Sequence, residues 1–100
     1  MSEKIHVEVM KDLEALIPRF LDRRHTEIEA FRAQLAAGDF ESLRLGGHSL
    51  KGSGGGYGFQ QLTSIGGAIE IAAKAKDAVA IAPLLAEYVD YMQRVEVTFV

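Results

Sequence analysis

Residues 39–58 read DFESLRLGGHSLKGSGGGYG, and the fold turns on whether this stretch is a helix or a loop. From Gly46 onward it holds seven glycines around one histidine and one lysine. A glycine inside a helix costs roughly 0.5–1 kcal/mol relative to alanine, which argues for a loop. The first half argues the other way. Asp39 follows Gly38 and carries the short acceptor that caps free N–H groups, and Leu43 and Leu50 stand two turns apart on one face. The pattern predicts a helix that begins at Asp39 and runs through Leu43 and Leu50 into the glycines. Gly56 and Gly58 are expected to end it and turn the chain.

Three further helices flank this one. Upstream, Ile17, Phe20, Leu21, Ile28, Phe31 and Leu35 repeat at steps of three and four, with Pro18 suited to a first turn and Gly38 to a stop. That predicts a helix over about 18–37. Downstream, Leu62, Ile65, Ile69, Ala72 and Ala73 mark a helix from Gln60 to near Lys76 and Asp77. The last, from Asp77, carries Ile81, Leu84, Leu85, Tyr88, Met92, Val95 and Phe99 along one face, with Pro83 expected to delay or kink it. Short connections make neighbours antiparallel. The expected architecture is all-α: a single domain over 1–100, an up-and-down antiparallel four-helix bundle with a short N-terminal helix near Met10–Leu16. IHVEV (5–9) and VEVTFV (95–100) alternate apolar and polar residues as half-buried strands do. An extended N-terminal arm and a helix continuing to the C-terminus are favoured over a small β-pair.

Composition narrows the function. The chain has 100 residues, enough for one core, with 48% hydrophobic and 25% charged residues, the balance of a globular protein rather than a disordered one. It has no cysteine, so a disulfide framework and thiolate metal sites are excluded. A net charge of -3 gives no general pull toward nucleic acid, and no apolar run suits a signal peptide or a membrane span. A cytoplasmic protein is expected, with no nucleic-acid or membrane partner. Its exposed helix faces are polar enough that a monomer is expected too.

A helical wheel at about 100° per residue separates the residues around the histidine. With Leu43 at 0°, Leu50 falls at about -20° and His48 at about 140°, away from the core. Arg44 and Lys51 lie at about 100° and 80°, Gly52 and Gly55 at about 180° and 120°. One exposed strip thus holds an imidazole, two cations and two residues without side chains. Near neutrality much of an exposed imidazole is an unprotonated nucleophile, and the cations could neutralise an anion held on it. Gly52 and Gly55 leave bare backbone for a partner to approach, while Gly47 and Gly54 turn toward the core. His6 and His25 read as solvated surface residues, with no second ligand at metal-site spacing.

His48, Leu50, Lys51, Gly52 and Gly58, in HSLKGSGGGYG, resemble the signature of histidine-containing phosphotransfer (HPt) domains, and the resemblance extends over about residues 15–95. Such domains are helical bundles that relay phosphoryl groups between receiver-domain aspartates and have no nucleotide site or kinase activity of their own. The resemblance implies that His48 accepts the phosphoryl group on Nε2. Lys51 would stabilise the phosphorylated form, and Glu70 would hydrogen-bond the other ring nitrogen. Lys74 would add positive charge, and Arg44, Leu45, Gly52, Gly55 and Phe59 would border the docking face.

The implied partners are response-regulator receiver domains and a hybrid sensor histidine kinase. No cofactor is expected on this chain, since Mg²⁺ would sit on the receiver. A carboxylate at position 70 keeps open the N-terminal phosphotransfer domain of a chemotaxis-type kinase, and a receiver-binding module that carries no phosphate is a further alternative. A phosphate loop is excluded by order, because Lys51 follows Leu50 rather than a glycine and no strand precedes it.

Overall fold

The computed structural model describes residues 3–100. Strand β1 (Ile5–Val9) leads through a 3-10 helix (Lys11–Leu16) into α1 (Ile17–Ala37), α2 (Phe40–Tyr57), α3 (Gln60–Lys74) and α4 (Ala78–Arg94), and β2 (Val95–Phe99) ends the chain. Connections of two or three residues fold each helix back on its predecessor, and α4 also packs on α1, closing an all-α four-helix bundle. The 3-10 helix stands where the short N-terminal helix is expected. No helix among the described residues is long and apolar enough to cross a membrane.

Several boundaries follow from local chemistry. Asp39 caps α2: its Oδ1 accepts from the Ser42 backbone N–H at 3.1 Å and its Oδ2 from the Ser42 hydroxyl at 2.6 Å. At the other end α2 runs through the glycine cluster to Tyr57 and stops at Gly58, whose φ of 90° is left-handed. Gly38, at φ 68°, ends α1 in the same way. Asp77 caps α4 by accepting from Ala80 N–H at 3.1 Å. Pro83 lies inside α4 without delaying its start. Val79, whose carbonyl would have received the missing N–H, is exposed, so solvent can satisfy that carbonyl.

The expected C-terminal continuation of the last helix, and the expected extended arm, are both corrected. Helix α4 ends at Arg94, and β1 and β2 form a parallel pair in the register Ile5↔Val95, Val7↔Val97 and Val9↔Phe99. Alternation with period two prevails over helical spacing here because the bundle brings both ends of the chain together. The apolar members of the two strands pack against the core, while His6 and Glu96 pair on the other face at 3.5 Å.

The core confirms the stripes: Ile17, Phe20, Ile28 and Phe31 from α1, Leu43 and Leu50 from α2, Leu62, Ile65 and Ile69 from α3, and Ile81, Leu85 and Tyr88 from α4 are all buried. Glycine sets a backbone-to-backbone contact between α2 and α3. A Cβ on Gly66 of α3 would lie 2.5 Å from Lys51 N and 2.7 Å from Gly47 O, and one on Gly47 would lie 2.8 Å from Glu70 N. A Cβ on Gly54 would meet Thr63 N at 2.9 Å. Helices α2 and α3 therefore touch backbone to backbone, as the inward turn of Gly47 and Gly54 requires. Gly52 differs, with nothing within 4 Å of its would-be Cβ.

Two outcomes follow. In urea denaturation Gly66→Val should cost about 2 kcal/mol or more, because backbone cannot yield to the added carbons, whereas Gly52→Ala should stabilise by about 0.5–1 kcal/mol. Unchanged stability in Gly66→Val would refute the backbone contact between α2 and α3. Hydrogen bonds from Ser42, side chain first and backbone second, lower the Asp39 pKa from 3.8. A lowered carboxyl pKa contributes stability that is present above about pH 4 and is lost as pH falls through the folded value. Asp39→Ala should thus lower the Tm near neutrality and flatten the acid limb of Tm against pH, measured by CD.

Candidate functional site

His48 lies on α2 beside Gly47, and Glu70 lies on α3 with its backbone N–H against that same glycine. The close seam brings their side chains together across it. His48 Nδ1 stands 3.1 Å from Glu70 Oε2. A glutamate carboxylate can only accept, so Nδ1 carries the hydrogen and donates, which leaves the Nε2 lone pair directed outward in the neutral ring. The imidazole side chain is 69% exposed, whereas Glu70 is only 12% exposed. The acceptor is anchored in the structure and the ring it orients is open to solvent.

Cations border the pair unevenly. Lys74 Nζ, one turn along α3, is 3.8 Å from the same Glu70 oxygen. The Lys51 stem runs over Gly67, whose would-be Cβ would sit 3.6 Å from Lys51 Cδ. The Lys51 carbonyl accepts from the Thr63 hydroxyl at 3.1 Å, a further tie between α2 and α3. Arg44 is drawn the other way, its Nε donating to Glu41 Oε1 at 2.8 Å. It belongs to the same helix face as His48 but is engaged one turn back.

The two expected glycines behave differently. Gly52 offers bare, exposed backbone, whereas a Cβ on Gly55 would already touch Thr63 Oγ1 at 3.3 Å, so its space is partly filled from within. Phe59 corrects an expectation. It is fully buried and stacks on Phe20 at 5.1 Å between centroids, so it serves the core and cannot border a docking face. The helix start that follows Gly58 turns this ring inward.

Leu45, as expected, is exposed at 55%. Ile71 on α3, which the sequence reading passed over, is 70% exposed. With Ile69 at 0° on the α3 wheel, Glu70 falls at about 100°, Lys74 at about 140° and Ile71 at about 200°. An isoleucine opposite the apolar stripe was the available signal. On their own wheels Leu45 and Ile71 each fall at about 200°, beyond His48 on α2 and beyond Glu70 and Lys74 on α3.

The model of the Hpt domain family matches residues 15–98. Neither the curated proteins nor the solved structures yield a match. Hpt domains carry out histidine phosphotransfer in two-component phosphorelays and interact with receiver domains and kinases.

The Nδ1–Glu70 bond predicts a single neutral tautomer. Long-range ¹H–¹⁵N correlation spectra of His48 should show the Nδ1–H form dominant, and Glu70→Ala should yield a mixture of tautomers while helical CD stays unchanged. A mixture already present in the unmutated protein would refute the bond's orienting role.

Proposed function

The chain belongs to the Hpt domain family, and from that premise we propose that His48 is its phosphoacceptor, taking a phosphoryl group from a receiver-domain aspartate and passing it to another receiver. One observation carries the reading: an exposed imidazole whose Nδ1 is bonded to a sheltered carboxylate, leaving Nε2 as the outward nucleophile.

The transfer balances without a cofactor on this chain. The Nε2 lone pair attacks the phosphorus of the aspartyl phosphate, a P–N bond forms, and the P–O bond to the aspartate breaks with its electron pair leaving on the carboxylate. The Nδ1 proton stays in place. The ring becomes cationic in the product, and Glu70 Oε2, already 3.1 Å from Nδ1, stabilises that charge. Lys51 and Lys74 offset the negative charge of the phosphoryl oxygens. Charge at the aspartate would be offset by Mg²⁺ on the receiver, and this chain supplies a nucleophile held in position and a face on which the receiver sits.

That face centres on Leu45, Gly52 and Ile71, with Gly55 beside them and Arg44 at its margin. Two exposed apolar residues flanking the charged strip give a receiver something to bury, and Gly52 lets its reactive loop come close. A second reading, the phosphotransfer domain of a chemotaxis-type kinase, is favoured by the carboxylate at Glu70. In that setting the phosphoryl group would come first from the kinase, with His48 and Glu70 in the same roles.

Incubation with a receiver charged by acetyl phosphate should label the protein on histidine, and His48→Gln should abolish labelling without loss of helical CD. Labelling that persists in His48→Gln would overturn the assignment. Gly52→Leu and Ile71→Glu should each slow transfer by about tenfold or more while leaving the fold intact, since each obstructs or charges the docking face. Profiling transfer against the receivers of the same cell distinguishes a relay between receivers from a kinase domain.

A further inference from the structure

The opposite side of α2 carries a feature that phosphotransfer at His48 does not use. In the apolar stripe of α1, at the step between Phe20 and Ile28, stands Arg24 rather than an aliphatic residue. Its side chain is only 9% exposed, and its Nε and Nη1 are buried without a hydrogen-bond partner. The nearest carboxylate oxygen, Glu27 Oε1, lies 3.7 Å from Nε and accepts instead from the Tyr88 hydroxyl at 2.6 Å. The guanidinium is fixed over the Phe20 ring at 4.8 Å from its centroid. Glu27 balances part of the charge at ion-pair distance, but the buried Nε and Nη1 donors still lack an acceptor, which is costly unless a further group meets them.

The space for that anion is next to it. A cavity of about 400 Å³ between α1 and α2 is lined by Arg19, Arg23, Arg24, Ser49, Ser53 and Tyr57. Among the described residues, Arg19 and Arg23 pair with no carboxylate within 4 Å, and three arginines and three hydroxyl-bearing side chains line the cavity without an acidic residue; Glu27, the partner of Arg24, lines the adjoining cavity instead. A second cavity of about 350 Å³ adjoins at Arg23 and Arg24, but it is lined by Glu27 and by the unpartnered acceptor Gln34 Oε1, so the first cavity is the one suited to an anion. Arginine forks match the oxygens of a tetrahedral dianion, hydroxyls complete its hydrogen bonds, and the volume exceeds what a bare phosphate needs. Exposed Leu16 at the rim gives an organic group an apolar wall. On the α2 wheel Ser49 and Ser53 fall at about 240° and 280°, far round the helix from His48.

We propose that this α1–α2 cavity binds a small organic phosphate monoester through Arg19, Arg23 and Arg24, at a site separate from His48. The reading is independent of the phosphotransfer assignment, since it uses none of the same side chains.

Phenyl phosphate is a suitable probe, followed by ¹H–¹⁵N NMR and calorimetry at about 0.15 M salt, where exposed charge pairs are largely screened. Saturable shifts should fall on residues 16–24 and 49–57 with a Kd below about 1 mM. Arg19→Gln with Arg23→Gln should weaken binding about tenfold or more at unchanged Tm, while Arg44→Gln with Lys74→Gln leaves it unchanged. Absence of saturation overturns the proposal. So does binding that survives the Arg19 and Arg23 changes but is lost with Arg44 and Lys74. Inorganic phosphate binding as tightly as phenyl phosphate would overturn the assignment to a monoester.

Discussion

The direct contact between the backbones of α2 and α3 is the constraint on which the rest of this structure depends. Gly47 and Gly66 place main-chain atoms where any side chain would have to sit, with would-be Cβ distances of 2.5 to 2.8 Å to the facing backbone. Only at that separation does a histidine on one helix reach a glutamate on the next with a 3.1 Å bond. The helical propensity lost at these glycines is offset by packing, which usually dominates helix stability in a folded protein. The Thr63 hydroxyl, bonded to the Lys51 carbonyl, ties the same seam one turn further on.

A short, stiff seam also explains how exposure and order coexist at His48. An exposed side chain usually samples several rotamers, yet here one ring nitrogen is held by an acceptor that is itself nearly buried. The other nitrogen remains free for an incoming group. Lys74 shares the Glu70 oxygen at 3.8 Å, so the carboxylate is balanced between an ammonium and an imidazole. Arg44 is held by Glu41, which keeps a third positive group from crowding the ring. Helix α2 thus separates its faces: one presents the imidazole, one holds the seam and core, and one lines the arginine-rich cavity against α1.

The sequence was most legible where one residue's own chemistry decides its state. Asp39 and Asp77 cap, Gly38 and Gly58 turn left-handed, and the leucines and isoleucines at three- and four-residue steps are buried or, at Leu21, Leu35 and Leu84, partly buried against the core. The histidine motif and the position of Glu70 were legible through the resemblance. Residues whose state depends on a distant neighbour were harder. Phe59 reads as a surface residue beside a glycine loop until Phe20 covers it, and Ile71, which its wheel position sets opposite the apolar stripe, is seen to stay uncovered only once the helices are packed. Arg24, in an aliphatic stripe, is the departure from pattern with the largest consequence.

By itself the sequence determined four amphipathic helices, their caps and the outward direction of His48, because periodicity and capping are properties of a short window. Tertiary structure decided which helices touch backbone to backbone, that Glu70 meets Nδ1, and that the terminal segments pair as parallel strands rather than continue as arm and helix. Those outcomes require partners far apart in the chain. A strand needs another strand, and an imidazole needs a carboxylate at bonding distance; only the closed bundle supplies either.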